Sequence, residues 1–330
     1  MRGSPRTAEP PVALESRRAV QLRPMLATIV EEPFDSPDHI FEVKWGGVRA
    51  IATVDDGHLR LQGRNLRDLT PLYPELSVLP KCLRAKSAVV DGEIIAWDGD
   101  ALPSADLLRP RLLQPEKNVS RSKRSPIMYQ VFDLLELDGI SLINRPLFER
   151  RNLLHEHLSP HRVVQASDFV QTDGIAFFEA VAAHHLEGVI AKDRWSPYLP
   201  GERSGAWQEI RASQADDFIV GGYSFGGGRP KEPIASLLLG THKRGELVFV
   251  GEVSVGCTNR EAQLLLDLLT PLHTNACPFP ETPAVPKLIH WCRPELACHV
   301  RYAQWHNNRL RFPLFVAPRP DVPPAECILL

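Results

Sequence analysis

A lysine set in a strand, with an acid two residues before it and an arginine five after, has two chemistries open to it. It is either a solvated charge on an edge strand or a nucleophile in a pocket. Lys44, in Phe41-Glu42-Val43-Lys44-Trp45-Gly46-Gly47-Val48-Arg49, is such a residue. Side chains alternate along a strand, so Phe41, Val43 and Trp45 point one way while Glu42 and Lys44 share the opposite face. Four later segments also place reactive groups on predicted strands. Residues 88–97 hold Glu93 amid aliphatics, where an unpaired carboxylate is costly and needs a cation or donors. Residues 129–135 carry Phe132 and run into the turn Leu137-Asp138-Gly139. Leu186-Glu187-Gly188-Val189-Ile190-Ala191-Lys192 joins an acid–glycine pair to a closing lysine, and Trp207-Gln208-Glu209-Ile210-Arg211 puts Trp207, Glu209 and Arg211 on one strand face. Singly, each has a structural reading: Glu93 pairs with a core arginine, and Phe132 fills a core.

The elements that must position these groups follow from pattern. Gly46-Gly47 allows a tight turn into a second strand over 48–54, and Asp55-Asp56-Gly57 turns that strand into a third near 58–62, an antiparallel meander. Up to about residue 211, short strands mix with helical stretches such as 177–185 after Thr172-Asp173-Gly174. Beyond that the pattern changes. Residues 217–223, 234–242, 246–255 and 299–306 read as strands separated by Gly, Pro and Asn turns, with one helix at 260–269. Several short strands with one helix suggest a small five-stranded barrel of the oligonucleotide-binding (OB) kind. The expected organisation is a leader over 1–20 without structure, a first domain over 21–211 and a barrel over 212–330.

A chain of 330 residues, 43% hydrophobic and 24% charged, has apolar material for two cores. No apolar run is long enough to span a bilayer, and the start does not resemble a signal peptide. The six cysteines form no CxxC pair, and Cys292 and Cys298, near His290 and His299, fit no common metal spacing, so they read as reduced cytosolic thiols. A net charge of −2 shows no global basicity, so a nucleic-acid partner would have to meet a local basic face. The basic cluster over 117–124 reads as a solvated loop, or as one that touches phosphate.

Together and in order, these segments resemble the motif series of the covalent nucleotidyltransferases, specifically bacterial ATP-dependent DNA ligases, including the ligase domain of ligase D. The resemblance covers about residues 21–328. It opens with Leu22-Arg23-Pro24-Met25-Leu26-Ala27 and closes with Trp291-Cys292-Arg293-Pro294-Glu295-Leu296, Val300-Arg301-Tyr302-Ala303-Gln304-Trp305 and Arg311-Phe312-Pro313. It implies an α+β adenylation domain of antiparallel sheets with flanking helices, followed by an all-β OB barrel. It implies that Lys44 attacks the α-phosphate of ATP, that the adenylate passes to a 5′-phosphate at a nick, and that the 3′-hydroxyl displaces AMP. By similarity Glu42 lies beside the adenine, Phe132 stacks on it, and Arg49 and Arg64 contact ribose or phosphate. Glu93 and Glu187 would hold ribose and Mg²⁺, and Lys192 would balance charge on the transferring phosphate. Arg211 keeps a cation of the fifth motif, and the barrel with Arg319 and Asp321 would swing over the ATP phosphates. The implied partner is nicked or broken duplex DNA, with end-joining or repair proteins acting in trans. The expected protein is a monomer of the cytoplasm, associated with the nucleoid.

Three positions depart from the family pattern. The first motif, Lys-x-Asp-Gly, becomes Lys44-Trp45-Gly46-Gly47. Of the two lysines of the fifth motif, one is Glu209 and the other Arg211, which differs from lysine in geometry. The last motif, Arg-x-Asp-Lys, ends in Val322. A unit charge about 4 Å away interacts by roughly 4 kcal/mol at an effective dielectric near 20, so the reversal at Glu209 is expected to matter most unless Glu209 pairs with Arg211. A carboxylate there favours protonated Lys44, a poor nucleophile. The expectation is a weakened ligase; the alternative is an inactive relative that binds DNA ends or nicks.

Overall fold

The computed structural model describes residues 22–97, 105–113, 125–226, 233–285 and 288–328. The predicted leader and the basic cluster over 117–124 lie outside the described residues. Two sheets build the first half. One has five strands in the order Leu26–Val30, Arg203–Arg211, Gly188–Asp193, Ser36–Lys44 and Val170–Thr172. The other has six, ordered His58–Gly63, Val48–Asp55, Ser87–Ala96, Ile127–Leu137 and Ile140–Ser141, with Val164–Ala166 parallel to Ile127–Leu137.

The predicted meander is corrected at its first turn. Ser36–Lys44 pairs with Gly188–Asp193, while Val48–Asp55 pairs with His58–Gly63 and Ser87–Ala96 in the other sheet. The chain changes sheets at Gly46-Gly47 instead of folding back on itself. Both glycines are needed there. Gly46 has φ +63, and a β-carbon on Gly47 would run into the Ile94 carbonyl oxygen. The second predicted turn is present, with Asp55 opposite His58.

Val48–Asp55 is buried and apolar on one face, while on the other only Ile51 is both, between Arg49 and Thr53. Val48, Ala50, Ala52 and Val54 enter a core with Leu61, Leu76 and Tyr129, whereas Ile51 faces Met25, Phe132, Tyr198 and Trp207. Helix Leu147–His157 covers part of this half and sends Arg150 and Arg151 inward. Arg150 makes a bidentate pair with fully buried Asp133 at 2.8 Å.

The second half is built on a seven-stranded sheet system around Ala215–Phe225 and a separate pair, Gln304–His306 with Arg309–Arg311, with helix Asn259–Leu269 started by a Thr258–Glu261 capping box. The expected single strand over 299–306 is two, Ala297–Arg301 and Gln304–His306. The halves share packing: Val316 and Ala317 of strand Leu314–Arg319 join the first core.

Candidate active site

Register and alternation together build one wall of a pocket. Lys44 lies opposite Gly188, which lies opposite Arg211; Glu42, Ile190 and Glu209 form the next row, and Ile40, Lys192 and Trp207 the third. Lys44, Glu42, Lys192, Trp207, Glu209 and Arg211 therefore share a sheet face, as period-two placement requires. Arg49, Glu93 and Phe132 come from the other sheet, and Asp216, Asp217, His299 and Arg319 from the second half. The pocket gathers every predicted site residue: Lys44, Lys192, Arg211, Glu42, Arg49, Arg64, Glu93, Phe132, Arg319 and Glu187.

Lys44 Nζ sits 2.5 Å from Glu187 Oε2. Burial opposes its charge, but the carboxylates of Glu187, Glu209 and Glu93 outweigh burial and hold the ammonium form more firmly than usual. Glu187 is likewise kept ionised against burial by Lys44 and His299. Glu93 accepts the Gly47 backbone N–H at 2.5 Å, so it also supports the sheet crossover.

The remaining cations are paired. Arg49 grips fully buried Asp91 through two bonds of 2.7 and 2.6 Å, and Tyr198 donates to the same carboxylate. Lys192 lies 2.9 Å from Glu42 and within 4.4 Å of the Phe132 and Trp207 ring centres. Burial lowers its pKa, with Arg151 adding to the effect and Glu42 opposing it. Lys192 thus belongs to the pocket's aromatic floor, two register rows from Lys44. Arg211 bonds Glu209 at 2.7 Å and Asp216 at 2.8 Å. Arg64 pairs with Glu326, and Arg319 with Asp321.

Sequence reasoning assigned no role to Asp91, Asp216, Asp217 or His299. Asp91 sits two residues before Glu93 on a strand already singled out, so the shared face was a usable signal. His299 stands opposite Asp217 in the paired strands and bonds it at 2.8 Å through Nδ1. Its pKa is raised to about 9, because Asp217 and Glu187 outweigh the burial that would lower it. That pairing depends on register across 82 residues of sequence, which no local pattern reveals.

The family described as "ATP dependent DNA ligase domain" matches residues 24–211, and "ATP dependent DNA ligase C terminal region" matches residues 230–322. The chain belongs to the ATP-dependent DNA ligase family. Mycobacterium tuberculosis (strain H37Rv) "Multifunctional non-homologous end joining DNA repair protein LigD" is 34% identical over 311 residues, 93% of this chain and 40% of that protein. A "DNA ligase" of Methanothrix thermoacetophila is 31% identical, over 86% of this chain and 52% of that protein. The chain therefore spans between two-fifths and about half of these relatives. The solved "mycobacterial DNA ligase D complexed with ATP and MES" is 32% identical with a TM-score of 0.65, covering 94% of this chain and 98% of that one. The fold of this ligase-family chain is accordingly α+β, an adenylation domain followed by an OB barrel.

Proposed function

We propose that the chain is an ATP-dependent DNA ligase that seals 5′-phosphate/3′-hydroxyl nicks through a lysyl-AMP intermediate on Lys44. One observation carries the reading: Lys44 stands in a pocket ringed by Arg49, Arg64, Lys192, Arg211 and Arg319, and lidded by the barrel. Each of these cations is held by an acid, so an anionic substrate would be met by side chains exchanging carboxylate partners for phosphate oxygens around a lysine nucleophile. In the proposed division, residues 21–211 adenylate and residues 212–330 close over the site.

The Lys44 ammonium would first give a proton to water; neutral Nζ would then form a bond to the α-phosphorus as the bond to pyrophosphate breaks, its second proton passing to water or the departing pyrophosphate. Glu187 must part from Lys44 first, because their ion pair holds the ammonium form. Glu42, Phe132 and Trp207 offer a partly polar, aromatic slot for the base. Arg64 and Arg319, on opposite sides of the domain seam, would meet phosphate oxygens; Arg49 and Arg211, held by Asp91 and Glu209, would orient them.

The donor set fits Mg²⁺. Glu93 and Glu187 supply hard oxygens beside Lys44, and no group of three metal-binding side chains converges among the described residues. Mg²⁺ is commonly held by one or two carboxylates, with substrate phosphates and water completing its shell. When bound, it supplies positive charge to the phosphates.

Among the described residues, no helix is long and apolar enough to cross a membrane. We place the activity in the cytoplasm, at the nucleoid, in a monomer working on broken or nicked duplex with repair proteins in trans. The test is incubation with α-labelled ATP and Mg²⁺, then denaturing electrophoresis, for the wild type and Lys44→Ala. Label on the wild type alone, chased onto a 5′-phosphorylated nick, supports the reading. A wild type that binds nicked duplex but takes no label would replace it with a binding protein.

A further inference from the structure

Asp217 sits where three cationic side chains from both halves of the chain converge. Its carboxylate is 2.8 Å from His299 Nδ1, 3.7 Å from Arg319 Nη1 and 4.0 Å from Arg64 Nη1. Each of the three has another acid. Arg319 holds Asp321 in a bidentate pair, Arg64 holds Glu326, and His299 Nε2 faces Glu187 Oε1 at 3.7 Å, beyond hydrogen-bond reach. Asp217 is therefore not needed to neutralise either arginine, whereas it is the acid that His299 bonds, since Glu187 is already paired with Lys44.

Two donors here are left without an acceptor. His299 Nε2 and Arg64 Nε are buried without a hydrogen-bond partner, an arrangement that costs free energy unless an acceptor arrives. Both side chains line the pocket that contains Lys44, and Glu187 links the two places, touching Lys44 on one oxygen and facing His299 with the other. An anion with many oxygens, entering beside Lys44, would find these donors at the domain seam.

We infer that His299 joins Arg64 and Arg319 in contacting the polyphosphate, and that Asp217 occupies this place as an internal competitor. The inference rests on the ligase reading only for the identity of the polyphosphate, which would be the part of the nucleotide beyond the α-phosphate. Entry of that anion exchanges one set of charge-assisted bonds for another: the carboxylate turns aside, and phosphate oxygens take the bonds from His299 and the two arginines. The exchange lowers affinity for substrate and for released pyrophosphate alike.

The test is calorimetric titration of inorganic tripolyphosphate into the wild-type chain, Asp217→Asn, His299→Gln and the double variant, each checked by thermal melting. Asp217→Asn should bind about tenfold more tightly than the wild type, ~1.4 kcal/mol. His299→Gln should bind about tenfold more weakly and should remove most of the gain in the double variant. Equal or weaker binding by folded Asp217→Asn would make Asp217 a structural latch and overturn the inference. Should Asp217→Asn not fold, the single His299→Gln variant decides, and unchanged affinity there overturns it. Tripolyphosphate carries no adenosine and forms no lysyl adduct. A chain that takes no label from ATP but shows the Asp217→Asn gain would keep the subsite and lose the ligase reading. Nicked duplex with a 5′-phosphate, titrated in parallel, should show no gain; a gain with duplex alone would also overturn the assignment.

Discussion

Gly46 and Glu187 share one volume: a β-carbon built on Gly46 would collide with the Glu187 carboxylate, and Gly46 holds φ +63. Glu187 thus fills the space that a side chain at 46 would enter, and reaches Lys44 from there.

Restoring the family residue at that position should therefore not restore activity. Gly46→Asp must adopt a left-handed backbone, costing roughly 1–2 kcal/mol, and must push Glu187 off Lys44. We expect a lower melting temperature and slower transfer of label from ATP. Faster transfer at an unchanged melting temperature would show that Glu187 does not depend on the space at residue 46.

Glu209 calls for the opposite experiment. Its carboxylate bonds Arg211, and burial, which would raise its pKa, is outweighed by Lys44 and Arg211, so it stays ionised. It is one of the acids that keep Lys44 protonated. Glu209→Gln removes that charge, while Arg211 keeps Asp216. The Lys44 pKa should fall, the acid limb of the adenylation pH profile should move to lower pH, and the rate near neutrality should rise by a few fold to about tenfold, ~1.4 kcal/mol. A profile that does not move would mean that Glu209 has no electrical access to Lys44.

Lys192 should show its worth first in stability. It and Glu42 are both almost wholly buried, 2.9 Å apart, with Arg151 a further 3.5 Å from the other Glu42 oxygen. Deleting one partner of a buried pair strands the other charge, at about 3–5 kcal/mol, less whatever Arg151 recovers. Denaturant unfolding of Lys192→Ala should show a loss near the low end of that range. A change within 0.5 kcal/mol would contradict the pairing and return Lys192 to a purely catalytic role.

How much of this was legible beforehand follows from the range of each interaction. Strand periodicity and the order of motifs located Lys44, Glu93, Glu187 and Lys192, because those signals are local. The crossover at Gly46-Gly47 was misread as a hairpin, since a glycine pair permits a turn and a change of sheet equally well. Asp217 and His299 were invisible as a pair, because only the register of two distant strands joins them. Glu209 pairing with Arg211 was foreseeable from i, i+2 placement on one strand, and it softens the charge reversal that the sequence alone made severe.

His299 should give stability a pH dependence of definite sign. Its folded pKa of about 9 lies above the model-peptide value near 6.5, so the folded form holds the proton more tightly. That contribution is fully present below about pH 6.5, up to about 3 kcal/mol, and is lost as pH rises towards 9. With EDTA present, the wild-type melting temperature should fall across this window, and His299→Gln should flatten the slope. Equal slopes in the two proteins would place the titration elsewhere.

Val322, where the family pattern has lysine, differs from the other two departures because nothing charged already occupies its place. It is 3% exposed and packs with Ile219, Phe279, Ala297 and Cys327, yet it also lines the pocket. A lysine there could lay its methylenes along that apolar cluster and carry its ammonium into the pocket, beside Asp217 and Arg319. The lost valine contacts should cost about 1 kcal/mol, and the added cation should favour the ATP phosphates. We expect Val322→Lys to lower the apparent KM for ATP in the labelling assay by a few fold, with the maximal rate little changed. A rise in KM together with a fall of more than about 8 °C in Tm would mean that the ammonium is trapped in the core, and that valine here maintains the barrel's packing.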